Sequence, residues 1–421
     1  QIGKVMIDGD FMNRRLVIKK KSIMFFMLML CVTAFYGTNY WYTNIYIYDF
    51  MIITSCLLSI IVFVCNGIRI DKTYYKGTII LSIVMWFSGL IAAQGKGLPA
   101  IVIFKESLYT ITPIMIFLAF RHMIKSIKDT SLFLRTISAA GVICNLIACI
   151  EMFFAKRGFD FLNISVFEKL RNGTPRFIIG ETIIVLSFFI SCSIVFSKGG
   201  KRNRRIFHVL NIALTAINLV YIIKTRTLNL YILSTLMMIP VFKKNVNKKL
   251  KFLVVFLISI IITFVSAEYF IPIVKNLIHS DHGVQIRFFT IEYYIEYFKT
   301  HYLLGAGYIS SSPYYETHSI VTGPLGHYYP SDVGLIGLMF RSGIIGLIWL
   351  ISWFYTSLKI IKDNTIRIPA QYDLLMKLVI VFLMFSCINL IITDAPRFPY
   401  IALVMLLFES SYTLSYENSS N

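Results

Sequence analysis

The stretch SDVGLIGLMFRSGIIGLIWLISWFY, residues 331–355, decides the fold. After Asp332 its only charged residue is Arg341, and the run exceeds the roughly 20 apolar residues that a helix needs to cross a bilayer core. The segment therefore reads as a membrane span. Gly334, Gly337, Gly343 and Gly346 recur along it, so the span is expected either to break or to begin as a re-entrant segment. Similar runs fill the rest of the chain. A window of about 19 residues places roughly twelve spans, at 22–40, 49–66, 77–93, 98–120, 131–155, 177–197, 206–223, 228–242, 252–271, 333–358, 373–392 and 398–413.

Composition agrees with that reading. Of 421 residues, 57% are hydrophobic and only 15% charged, where soluble domains carry about a quarter. Mean hydropathy is +0.71. A soluble globular enzyme, a disordered chain and a disulfide scaffold are excluded. The net charge of +20 would suggest nucleic acid in a soluble protein, but in a membrane protein basic loops account for it. With the N-terminus cytoplasmic, 27 of the 41 basic residues fall in cytoplasmic loops, leaving 14 outside or embedded. No nucleic acid is implied, and both termini are expected in the cytoplasm. The basic stretch before residue 22 is followed by no A-x-A-like cleavage site, so the first span is expected to stay uncleaved. The seven cysteines form no CxxC pair and read as small apolar fillers.

The expected organisation is a cytoplasmic segment 1–21, spans one to nine over 22–271, a large extracytoplasmic loop 272–332, spans ten to twelve over 333–413, and a cytoplasmic tail 414–421. Within the large loop, 287–302 reads as an amphipathic helix. Phe288, Ile291, Tyr294, Ile295 and Phe298 form its apolar stripe, and Glu292, Glu296 and Lys299 face away. Such a helix is expected to lie flat on the outer leaflet. Gly305-Ala306-Gly307 ends it, and 310–330 reads as an irregular cap. A second, smaller outer segment covers 156–176.

Charges at membrane depth are costly and mark function. Arg176, Arg226, Arg287 and Arg341 sit near the outer face, with Asp394 as one carboxylate that could pair with Arg341. Arg226 stands at the apex of a tight hairpin. It either snorkels to headgroups or clamps an anion, because a planar guanidinium binds phosphate bidentately. Arg287 serves equally as a surface anchor. Five histidines share the long loop, but no metal-ligand spacing accompanies them, so no metal and no cofactor is expected. His318, His327 or Asp332 could instead act as general base toward a substrate hydroxyl.

These residues resemble the O-antigen polymerase and O-antigen ligase superfamily of polytopic bacterial glycosyltransferases. Lys224-Thr225-Arg226-Thr227 is similar to the family's arginine turn at a hairpin apex. Arg287 opens an aromatic helix that runs into His301-Tyr-Leu-Leu-Gly305-Ala-Gly307, and Ser331-Asp332-Val-Gly334 is followed by Ser342-Gly343-Ile-Ile-Gly346. Together these cover roughly 215–350. The resemblance implies an all-α, GT-C-like integral membrane fold and inverting, metal-independent glycosyl transfer in the bacterial cytoplasmic membrane. It implies an undecaprenyl-diphosphate-linked oligosaccharide donor and acceptor, with a chain-length regulator and a flippase as possible partners. Arg226 and Arg287, joined by Arg341 and Arg176, would hold the diphosphate. Asp332 or a loop histidine would take the acceptor proton. The ligase branch has a His-Asn pair where this chain has Ser331-Asp332, which favours the polymerase branch. The alternatives are a ligase or, outside enzymes, a lipid-linked oligosaccharide flippase.

Overall fold

A computed structural model describes residues 22–25, 28, 46–66, 73–159, 180–197, 202–242, 247, 249, 253, 282–364, 369–387 and 397–417. The described residues are helical, with no strand among them. Five helices are long and apolar enough to cross a membrane: Lys76–Ala93, Ala100–Arg121, Ile127–Ala155, Arg205–Ile223 and Gly334–Asp363. Shorter apolar helices cover Ile52–Val64, Glu181–Phe196, Thr227–Phe242 and Tyr400–Ser410. The described residues are those of an all-helical membrane protein. All but one residue of the span expected at 252–271, most of the one at 22–40 and nearly all of the 156–176 segment lie outside the described residues.

The helices are α1 (Tyr46–Asn66), α2 (Lys76–Ala93), α3 (Ala100–Arg121), α4 (Ile127–Ala155), α5 (Glu181–Phe196), α6 (Arg202–Ile217), α7 (Arg226–Met237), α8 (His282–Thr300), α9 (Thr317–Thr322), α10 (Gly334–Asn364), α11 (Ala370–Ser386) and α12 (Phe398–Glu417). They divide between two compact units. The first holds Gln1–Arg69, Ile116–Lys224 and Glu409–Asn421; the second holds Ile70–Met115 and Thr225–Phe408.

In the first unit α4 starts at Ser126, whose hydroxyl accepts from the Asp129 N–H at 3.3 Å, while the Asp129 carboxylate accepts from the Lys125 N–H at 3.1 Å. This reciprocal cap satisfies donors that a helix start leaves orphaned. Gly141 lets α5 approach closely, since a Cβ there would collide with Ser187. The seam between these helices and α6 is polar. Asn211 Nδ2 donates to Ser187 Oγ (2.8 Å) and Ser191 Oγ (2.9 Å). Asn145 Nδ2 donates to Thr215 Oγ1 (2.9 Å), and Asn218 Nδ2 donates to Asn145 Oδ1 (2.8 Å). All three asparagines are buried. Helices in lipid gain nothing from burying leucine against leucine, so such hydrogen bonds hold them together. Asn218 also opens a π-helical turn, Asn218–Ile223, that ends at Lys224 in the left-handed region (φ 52°). Arg121 Nε meets Glu409 Oε1 at 2.9 Å, so the acidic residue within the apolar part of the last helix is paired.

In the second unit α2 lies along the later half of α10. Trp349 Nε1 donates to Ser82 Oγ (2.7 Å), Tyr75 Oη and Ser357 Oγ share a bond of 2.8 Å, and Thr78 Oγ1 and Ser352 Oγ one of 3.1 Å. The earlier half of α10 is a different object. Gly343 adopts φ 59° and ψ −153°, which breaks the helix in two. Residues 344–364 then measure about 31 Å at 1.5 Å per residue, enough for a bilayer core by themselves. Residues 334–342 form a separate short helix. The expected break is present, at Gly343.

Two variants test the packing. Gly343→Ala places a Cβ against the Leu303 carbonyl in a backbone conformation that L-residues avoid. It should lower stability by about 2 kcal/mol or more, read as a drop in thermal midpoint in mild detergent. Gly77→Ala, with nothing within 4 Å of its Cβ, should leave the midpoint unchanged or raise it. In the first unit, Asn145→Ala strands the Asn218 amide and the Thr215 hydroxyl and should cost about 1–2 kcal/mol in the same measurement.

Candidate functional site

The broken helix exposes backbone groups, and the turn after α8 satisfies them. The Ala306 N–H donates to the Phe340 carbonyl (2.7 Å) and the Gly307 N–H to the Arg341 carbonyl (2.9 Å). From the far side of the break, the Ile344 N–H donates to the Tyr302 carbonyl (2.8 Å). The close approach requires glycine. A Cβ on Gly305 would lie 2.6 Å from the Phe340 carbonyl oxygen, and one on Gly307 2.6 Å from that of Gly89. Both take positive φ, 69° and 77°. The turn is also fastened to α2: the Tyr308 N–H donates to the Gly89 carbonyl (3.2 Å), and the Tyr308 ring occupies the space that a side chain at 89 would fill.

Helix α8 covers residues 334–342 with an aromatic face. Tyr294, fully buried, stacks on Phe340 at 4.1 Å, and its hydroxyl donates to the Val321 carbonyl at 2.5 Å. Tyr297 meets Phe340 edge-on at 5.0 Å, and the Tyr293 hydroxyl donates to the Ile320 carbonyl at 3.2 Å. Glu292, Glu296 and Lys299 are exposed, as the spacing predicts. The stripe through Tyr294 is seated on protein where it meets Phe340. Amphipathic spacing specifies an apolar face but not what covers it.

The candidate site residues fall unevenly. Arg176 and Asp394 lie outside the described residues. Arg226 opens α7, and its side chain lies outside the described ones. Arg287 is half-buried on α8, two turns before Tyr294 and therefore on the same side of the helix. Arg341 is half-buried immediately before the break. Asp332 is exposed at the end of the 3-10 turn Pro330–Asp332. Arg341 and Asp332 both act electrostatically on the Tyr294 phenol, so the structure brings a cation and a carboxylate to one tyrosine. Burial holds that phenol protonated far above the usual tyrosine range. The Arg341 charge opposes the shift, and Tyr293, Asp332 and Tyr328 add to it.

His318 sits on α9, the helix whose carbonyls receive Tyr293 and Tyr294. Its Nδ1 lies 2.6 Å from the Ser311 carbonyl, which can only accept. The proton therefore sits on Nδ1, and Nε2 is the acceptor of the neutral ring. His327 is exposed nearby in sequence, before the buried Tyr328.

One residue escaped the sequence reading. Lys96 Nζ donates to Tyr297 Oη (2.7 Å) and to the Ala306 carbonyl (3.1 Å), and burial pulls its pKa below the usual lysine range. Its position between Gly95 and Gly97 at the end of a span was the available signal. Among the described residues Lys96, Arg287 and Arg341 form no salt bridge. The pairs there are Arg121–Glu409, Lys299–Glu296 and Lys377–Asp373. No group of three or more metal-ligating side chains occurs among the described residues. The lobe thus offers half-buried cations that form no salt bridge among the described residues, together with an exposed carboxylate and an oriented imidazole. Chemically, that suits an anionic leaving group and a proton acceptor.

Burial, with the neighbouring Tyr293 adding to it, raises the Tyr297 phenol to about 12. In the unfolded chain that phenol titrates near 10, so between pH 10 and 12 the folded state holds a proton that the unfolded state has lost. Stability should therefore fall as pH rises through this window. Lys96 works with the opposite sign below 10.5, so unfolding midpoints are best compared above that pH. There Tyr297→Phe should lose less stability with pH than the wild type. No family model and no curated protein matches the chain, which leaves the chemistry of this lobe as the basis for its function.

Proposed function

We propose that the chain is a polysaccharide polymerase of the O-antigen or capsule type. It would join undecaprenyl-diphosphate-linked oligosaccharide repeat units at the outer face of a bacterial cytoplasmic membrane. The observation that carries the reading is the pair of half-buried cations, Arg287 and Arg341, that form no salt bridge among the described residues, in the lobe where Asp332 acts on the same tyrosine as Arg341. The resemblance of residues 215–350 to the O-antigen polymerase superfamily supports it, as does the basic character of the opposite loops. On this reading about twelve spans cross the membrane, both termini are cytoplasmic, and the lobe formed by α8, α9 and 334–342 faces outward.

The reaction is a single displacement. An acceptor sugar hydroxyl attacks the anomeric carbon of the donor repeat unit, and the bond from that carbon to the diphosphate oxygen breaks. The bonding pair leaves with undecaprenyl diphosphate, and the configuration inverts. Arg287 and Arg341, with Arg226 and Arg176, stabilise the charge that develops on the departing diphosphate. The acceptor proton passes to the Asp332 carboxylate, or to Nε2 of His318 or His327. Interactions that strengthen as the diphosphate leaves lower the barrier without holding the ground state more tightly.

A transport reading draws on one observation: the buried seam of Asn145, Asn211 and Asn218 beside a π-helical turn in the first unit. Polar groups and irregular helix inside a bundle are features of transporters. Purified protein incubated with lipid-linked repeat units discriminates the cases. The polymerase yields a ladder of lengths, a ligase transfers glycan to a different acceptor, and a flippase yields neither. Arg287→Ala and Arg341→Ala should each reduce the ladder by about a hundredfold or more while the protein remains in the membrane. Asp332→Asn should reduce it comparably. Undiminished ladders in both arginine variants would rule out the diphosphate clamp.

A further inference from the structure

We infer that Lys96 is a positioning residue: its ammonium fixes the angle of the break in α10 and thereby places Arg341. The inference rests on reading Arg341 as a diphosphate ligand. Its basis is a closed circuit of contacts around Gly343. Helix α2 is pinned to the part of α10 after the break by Ser82–Trp349, Thr78–Ser352 and Tyr75–Ser357. Lys96 follows directly from the end of α2, where the Gln94 N–H closes the helix on the Leu90 and Ile91 carbonyls. From there its ammonium reaches the Ala306 carbonyl. Ala306 and Gly307 in turn donate to the Phe340 and Arg341 carbonyls, on the part of α10 before the break. The two halves of α10 are thus tied together through α2 and Lys96, independently of the backbone at Gly343.

The second Lys96 bond, to Tyr297 Oη, ties in α8, whose Tyr297 ring packs on Phe340. Both hydrogen-bond partners of Lys96 are neutral oxygens, so the ammonium acts as a bridge between the turn and α8. A neutral, non-donating side chain of similar length would leave the Ala306 carbonyl and the Tyr297 hydroxyl without this donor. Gly95 and Gly97, at φ 79° and 71°, shape the short connection that delivers Lys96 to this point. Tyr308 supplies a second tie from the same turn to α2, so loss of Lys96 should loosen the break without unmaking the lobe.

The test uses full-length protein in detergent with farnesyl diphosphate as probe and binding read by calorimetry. Lys96→Met should weaken binding by about tenfold, and Lys96→Arg, which can still donate to both oxygens, should recover most of it. Tyr297→Phe, which removes one of the two oxygens, should weaken binding by a smaller factor; it also serves as the second variant if Lys96→Met fails to elute as wild type does. A residue that acts through Arg341 has nothing left to position once that side chain is gone. The double variant Lys96→Met with Arg341→Ala should therefore bind no more weakly than Arg341→Ala alone. Wild-type binding in both Lys96→Met and Tyr297→Phe would overturn the inference while leaving the Arg341 reading intact. Multiplied losses in the double variant would overturn it in favour of direct contact between Lys96 and the ligand. Equal binding by wild type and Arg341→Ala would overturn the reading of Arg341 itself, and this inference with it.

Discussion

A helix broken at the edge of a membrane leaves carbonyl and N–H groups that neither lipid nor the helix can satisfy, and each orphan costs several kcal/mol in an apolar setting. In this chain the break at Gly343 releases the carbonyls of Phe340 and Arg341 and the N–H of Ile344, and a single turn, 302–307, satisfies all three. The rest of the lobe depends on that exchange. It requires Gly305 and Gly307, because any Cβ would strike backbone. It brings α8 down on Phe340, so Tyr294 and Tyr297 find their packing partner. It also fixes the root of Arg341, whose charge meets that of Asp332 at Tyr294.

The first unit solves a related problem differently. Its helices α4, α5 and α6 bury amides and hydroxyls in their seam and pair them with one another. The buried ion pair Arg121–Glu409 follows the same logic: a carboxylate inside an apolar helix is tolerable once a guanidinium meets it. Polar chemistry is therefore present in both units, but its character differs. The seam of the first unit bonds its amides to one another and to hydroxyls, whereas the lobe of the second presents cations that no carboxylate in the described residues neutralises.

Much of this was legible in the sequence, and the remainder was hidden for identifiable reasons. Apolar runs announce helices because lipid demands them, and α2, α3 and α4 begin and end within a few residues of their expected bounds. The glycines of residues 334–346 signalled a break, but nothing local distinguishes Gly343 from Gly337 or Gly346. The choice is made by Leu303 and Leu304, which are distant in sequence and pack against Gly343. The face of α8 was visible as a stripe, and its covering was not, since protein and lipid are equally apolar partners. Asn145, Asn211 and Asn218 vanish in hydropathy averages dominated by their neighbours. Lys96 looked like any basic residue at a helix end. Its role depends on a turn more than 200 residues away, and only the fold brings the two together.

The Ala306 and Gly307 amides close the break in α10. Residue-resolved amide exchange on the protein in nanodiscs reads this closure. These two amides, although they lie in a glycine-rich turn, should exchange as slowly as those in the core of α8. Exchange at the rate of an open turn would contradict it, for then the carbonyls at the break would be satisfied elsewhere and the lobe would have no fixed seat.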